Sequence, residues 1–188
     1  PLEREGVDKL TLVFAHSEKL QRHAQFLYSA GGMYLRCNGN LLYHGCIPME
    51  EDGSFAPIPV SSESALCGRA AIDAADKMAR QGYFAELGSK ARQDGQDFMW
   101  YLWCGPKSPL FGKSKMATFE RYFLSDKGTH HEVKNAYYTF QNDEGTALRI
   151  LGEFDLSENG FIINGHVPVK LSQGESPIKA GGRLLVID

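Results

Sequence analysis

Two histidines stand in matching settings. In LLYHGCIP, Leu41 to Pro48, an apolar run delivers His44 to a glycine, a cysteine and then a proline. In FIINGHVPVK, Phe161 to Lys170, an apolar run and a glycine deliver His166, with Pro168 just beyond. A strand that ends on an imidazole beside a glycine aims the ring into the space past the sheet. Were the two strands neighbours, the rings would converge where open α/β sheets carry their sites, and neutral imidazoles are good ligands for manganese, iron or zinc. Packing or capping is the competing role for each ring, and the pattern alone leaves both open.

The other residues with chemical potential read as structural. THHE, Thr129 to Glu132, lacks the i, i+4 histidine spacing of a helical zinc motif and reads as polar surface, with His130 or His131 as leaving-group acid the minor option. His16 and His23 are expected to share one helix and roughly one face of it. Cys46, beside His44, reads as a small buried hydrophobe. Trp100 and Trp103, three apart on a helical face, read as core.

The elements that must position His44 and His166 can be read in outline. MYLRC and NLLYH flank Asn38-Gly39, the strongest short-range hairpin signal, because both turn positions favour positive φ. His44 then closes the second hairpin strand. Upstream, HSEKLQRHAQFLYS spaces Leu20, His23, Ala24 and Leu27 as a helix that Gly31-Gly32 ends. Residues 50–60 read as a loop. Ser61 or Ser62 is expected to cap a helix reaching about Arg80, with Leu66, Ala71, Ile72, Ala75, Met78 and Ala79 on one face and Gly82 just past its end. Helical signals continue through FAELGSKA, DFMWYLW and MATFERYF, interrupted by the rigid CGPKSPLFGK. A further helix is expected near 143–153, then a strand at GFII and a last one at GRLLVID. The fold class is α+β, of the α/β sandwich type, one domain over 1–188 with β-rich ends and a mostly helical insertion over about 60–125.

The totals narrow the partners. A net charge of −3 over 188 residues offers no basic stripe for nucleic acid. Cys37, Cys46, Cys67 and Cys104 show no C-x-x-C pairing, which points to a reducing cytoplasm. No apolar run approaches the roughly 20 residues of a spanning helix, so no membrane partner is expected. The start at Pro1 and the stop within the apolar RLLVID suggest a piece of a longer polypeptide.

LLYHGCIPM, FMWYLWCGPKSPLFGKSKMATFERYF, NAYY, FIINGHVPVK and PIKAGGRLLVID together resemble the class III fructose-1,6-bisphosphatases of bacteria, members of the calcineurin-like metallophosphoesterase superfamily. The resemblance runs from about His16 onward. It implies a partial metallophosphoesterase fold and two-metal hydrolysis of the C1 phosphate of fructose 1,6-bisphosphate in gluconeogenesis, with Mn2+ or another divalent cation as cofactor. The superfamily's metal ligands come from an Asp-x-His, a Gly-Asp, a Gly-Asn-His, a strand-end His and a final Gly-His. Only the last two have counterparts, His44 and His166, and the second histidine that many members carry two positions later is replaced by Pro168. The resemblance therefore implies that a missing N-terminal part of the same chain is a partner. Alone, this piece is expected to be inactive, to hold metal weakly or not at all, and to self-associate through exposed apolar surface.

A sugar bisphosphate needs cations for its second phosphate. The candidates are Lys107 and Lys113 in the GPKSPLFGK loop, whose backbone amides are expected to face an anion, together with Arg121 and Lys170. Two rival readings stay open: a phosphatase of another phosphorylated sugar or a phosphoprotein, and a noncatalytic module whose helical middle binds a partner protein.

Overall fold

The computed structural model describes residues 3–60 and 64–188. Two compact units divide the chain, one ending at Gly32 and the other running from Met33 to Asp188. The first holds helices α1 (Arg4–Ala15) and α2 (Glu18–Ala30), neither of which buries a residue. The Ser17 hydroxyl caps α2 by accepting from the Leu20 amide. The helix expected over residues 16–29 is α2, ended at Gly31, but it starts after Ser17, so His16 closes α1 and does not share a helix with His23.

The second unit is built on the hairpin of β1 (Tyr34–Cys37) and β2 (Asn40–Tyr43). Its turn residues have φ of 50° at Asn38 and 76° at Gly39, the left-handed pair that the sequence requires. A two-stranded ribbon follows, β3 (Ile58–Pro59) with β4 (Ala65–Leu66). Helices α3 (Gly68–Phe84) and α4 (Lys90–Cys104) then pack together. Short α5 (Thr118–Phe123) and α6 (Tyr137–Phe140) lead to α7 (Glu144–Glu153), capped by Asp143. The chain ends in β5 (Ile162–Asn164), β6 (Ile178–Lys179) and β7 (Leu184–Val186). An α+β architecture is thus borne out.

Helix α3 departs from the expected bounds. Leu66 lies in β4, the helix begins after Cys67, and the Ser61 or Ser62 cap falls outside the described residues. Gly82 does not end the helix either. It is buried inside α3, where an added Cβ would sit 2.7 Å from the Gly95 backbone of α4. The two glycines make a notch that lets the helices approach, the second use a helical glycine can have.

The main sheet runs β1-β2-β5-β7-β6, antiparallel at both rims and parallel across the centre. One face carries Leu41, Tyr43, Ile162, Asn164, Leu184 and Val186, all buried with Ile150, Leu151 and Phe154 in the main core. The central register aligns Tyr43 with Asn164 and Asn164 with Val186. Because β2 and β5 run parallel, the residues that follow each strand emerge at the same end of the sheet.

Candidate metal centre at the strand ends

His44 follows β2 by one residue and His166 follows β5 by two. The Gly165 amide donates to the His44 carbonyl at 3.0 Å, continuing the pairing past the strand ends. His166 itself sits at φ 71°, in the left-handed region. For a residue with a side chain that conformation costs on the order of 1–3 kcal/mol and persists only where its surroundings impose it. It turns the ring towards His44, leaving the ring centroids 4.9 Å apart at 71°.

His44 Nε2 lies 3.0 Å from His166 Nδ1, and His166 Nε2 lies 2.9 Å from the Phe111 carbonyl oxygen. A carbonyl only accepts, so Nε2 of His166 carries its proton and Nδ1 keeps its lone pair. His44 Nε2 is then the donor to that lone pair. Partial burial lowers the His44 pKa from its ordinary value, the neighbouring His166 lowers it further, and Asp188 opposes both. The neutral imidazole is the form that ligates a cation.

The pair fits one metal ion. Imidazole nitrogens bind zinc-like cations at about 2.0–2.1 Å, and two such ligands at a right angle lie about 3.0 Å apart. His44 would have to carry its proton on Nδ1 to offer the Nε2 lone pair, and the two imidazoles would then be the residues that hold the ion. The donor set stops there: among the described residues, no group of three or more His, Cys, Asp or Glu is arranged to hold an ion.

Beneath the rings lies a neutral polar floor. Asn164 Nδ2 donates to the Gly45 carbonyl and to the Tyr137 hydroxyl, each at 3.0 Å, and the Tyr43 and Tyr137 hydroxyls share a hydrogen at 2.8 Å. Burial pushes the Tyr43 and Tyr137 phenols and the Cys46 thiol upward, so all three stay protonated. Cys46 is the buried small side chain that the sequence suggests.

The candidate cations stand in ion pairs, with one exception. Lys107, itself at φ 62°, pairs with Glu50. Lys113 and Arg121 converge on Glu132 at 2.8 and 3.2 Å. That carboxylate, 9% exposed, also accepts from the Ala117 amide at 2.9 Å. Its burial alone would raise the pKa, but the Lys113 and Ala117 hydrogen bonds and the two cations outweigh it and bring it down to about 2. Lys170 is exposed and has no ion pair among the described residues.

The expectation of loop amides facing an anion meets a closed loop. The amides of Ser108, Leu110, Phe111 and Gly112 are all taken by groups within the segment. THHE runs out of a 3-10 turn that ends at His130, with His130 Nε2 3.0 Å from the Leu124 carbonyl oxygen. Trp100 and Trp103 are 65% and 52% exposed and touch each other edge to face, so they are not core. Their helix buries Phe98 and Leu102 instead, two positions before and two after Trp100 and so on another side of the helix. Sequence reasoning missed Asp188, Asn164 and the Phe111 carbonyl. A backbone oxygen has no sequence signature, and the other two acquire their roles only through parallel pairing.

A family model for Firmicute fructose-1,6-bisphosphatase matches residues 1–188. The chain belongs to that family. It is 57% identical over 187 residues to a "Fructose-1,6-bisphosphatase class 3" of Clostridium botulinum (strain Kyoto / Type A2) and 54% identical to one of Clostridium acetobutylicum. Both alignments cover 99% of this chain and 28% of the relative, so the chain spans about a quarter of the length of the curated family members it matches. No solved structure matches it significantly. No described helix is long and apolar enough to cross a membrane.

Proposed function

We propose that the chain is the C-terminal part of the catalytic region of a cytoplasmic fructose-1,6-bisphosphatase, an enzyme releasing the C1 phosphate of fructose 1,6-bisphosphate in gluconeogenesis. Its share of the active site is half the shell of one divalent cation, Mn2+ or a similar ion, supplied by His44 and His166. The observation that carries the reading is the 3.0 Å separation of His44 Nε2 and His166 Nδ1, the spacing of two adjacent ligands on one ion. A bound pair of divalent cations would neutralise phosphate charge and activate water for attack at phosphorus.

This chain's residues hold and orient. His166 keeps its Nε2 proton on the Phe111 carbonyl and presents Nδ1. Tyr43, Tyr137 and Asn164 bring no charge, so the counter-charge of the cation falls to Asp188, which acts on His44, and to carboxylates from the remainder of the polypeptide. Two neutral donors without an anionic ligand hold a hard cation weakly, so the chain alone is inactive. Lys170 is free to meet the distal phosphate. Lys107, Lys113 and Arg121 do so only by exchanging a carboxylate for a phosphate, an exchange of like charge for like.

The test uses the full-length polypeptide with manganese. His44→Ala and His166→Ala are each expected to lower kcat/KM for fructose 1,6-bisphosphate by at least about 100-fold. Unchanged turnover in either variant would overturn the metal role. A decisive preference for a phosphopeptide over the sugar bisphosphate would overturn the substrate.

A further inference from the structure

We propose that Ser108 is a positioning residue for the metal-ligating histidines, acting through the Phe111 carbonyl to fix the tautomer and direction of the His166 ring. The proposal rests on the metal reading of His44 and His166 and adds to it the device that keeps one ligand armed. Ser108 is fully buried in the loop between α4 and α5. Its hydroxyl donates to the Leu102 carbonyl at the end of α4 and accepts from the Leu110 and Phe111 amides, each at 3.3 Å. Its own carbonyl accepts the Gly112 amide at 2.8 Å.

Phe111 is therefore held on both sides by one residue. The peptide before it is tied through the Ser108 hydroxyl, and the peptide after it, whose oxygen meets His166 Nε2 at 2.9 Å, is tied through the Ser108 carbonyl. The Leu102 bond references this loop to α4. A second fastening joins it to the segment that follows the other histidine, where the Cys46 amide donates to the Pro109 carbonyl at 2.9 Å. The space is closed as well: a Cβ at Gly112, whose φ is 62°, would lie 2.7 Å from the Tyr138 hydroxyl.

The consequence is directional. A ring whose Nε2 proton is held by a fixed carbonyl cannot move that proton to Nδ1, so the lone pair points permanently at His44 Nε2. Partners of this kind, hydrogen-bonded to the far nitrogen of a ligating histidine, typically change metal affinity by about 10–100-fold when lost. Sequence gives no hint of this role, because SPLF reads only as a turn.

The experiment measures the His166 ring proton on nitrogen by NMR in this 188-residue chain at about pH 8, and the affinity of the chain for Zn2+ alone. In the unmutated chain the proton is expected on Nε2 and protected from exchange. A proton on Nδ1, or an unprotected one, overturns the proposal without any variant. Ser108→Ala is expected to speed exchange of that proton at least tenfold and to weaken Zn2+ binding about tenfold. Ile150→Val, a buried change elsewhere in the core, is expected to leave both values within about twofold while lowering stability. If Ser108→Ala leaves the ring proton as it was, or Ile150→Val moves it equally, Ser108 does not position the ring. The metal reading fails separately: unchanged turnover of the full-length polypeptide with His44→Ala or His166→Ala removes it, while a ring proton that still responds to Ser108 keeps the positioning role.

Discussion

The two faces of the five-stranded sheet carry similar residues and meet different surroundings. On one face Leu41, Ile162 and Leu184 are at most 1% exposed, stacked against α7 and the helices around it. On the other, the register lines up one aliphatic side chain from every strand: Leu35 opposite Leu42, Leu42 opposite Ile163, Ile163 opposite Leu185, and Leu185 opposite Ile178. The outer members of that row, Leu35 and Ile178, are each 57% exposed, and the inner three are only half buried. Strands buried on both faces read as continuous apolar runs, as LLYH and LLVID do. The sequence is therefore written for a sheet covered on both faces, and the second unit buries one of them more completely than the other.

That contrast is sharpest in truncations. Leu41→Ala or Ile162→Ala removes a fully buried side chain from a packed face and is expected to cost about 2–5 kcal/mol in urea unfolding. Asn164→Ala tests the polar member of the same face. It deletes the donor to Gly45 and Tyr137 and is expected to cost about 1–3 kcal/mol, because both acceptors stay buried. Equal losses from the half-covered Leu42 would show that the second face is already packed, and would dissolve the distinction.

The buried face and the hairpin were the legible parts. Asn38-Gly39 fixes the turn by backbone sterics alone, so no distant contact is needed to read it. The strand-exit settings of His44 and His166 were legible too, but their meeting depends on β2 and β5 pairing in parallel, which a local pattern does not encode. Long-range partners escaped for the same reason. Nothing near Lys107 announces Glu50, and nothing near Arg121 announces Glu132. Trp100 and Trp103 show the limit of periodicity: spacing identifies a helical face, while the tertiary fold decides which face is buried.

Glu132 supplies a third kind of anchoring, by charge, against which burial can be compared. Its folded pKa of about 2 lies below the ordinary 4.5, so the proton binds more tightly to the unfolded chain. The stabilisation is complete above about pH 4.5 and is lost as the pH falls towards 2. Glu132→Gln is expected to remove about 1–3 kcal/mol at neutral pH and to flatten that part of the acid limb. Amide exchange should report the loss first in residues 113–134, where Lys113, Ala117 and Arg121 attach, with β2 and β5 still protected. Simultaneous loss in the strands would mean that the acid anchor and the buried face form one cooperative unit.

The smallest change in stability, with the clearest change in behaviour, belongs to the open face. Leu35→Lys and Ile178→Lys lie on the two rim strands at positions already more than half exposed, so each is expected to shift unfolding by no more than about 0.5 kcal/mol. Lysines there do two things to association. They interrupt the aliphatic row that a second surface would cover, and they put charge on the rims, where unpaired strands recruit other strands. If the chain self-associates through this face, sedimentation of the double variant should return it towards monomer, whereas Leu41→Ala should leave the tendency equal or greater. Association that persists in the double variant would point to the apolar helices of the first unit instead, where Val13, Phe14, Phe26 and Leu27 are each at least 65% exposed.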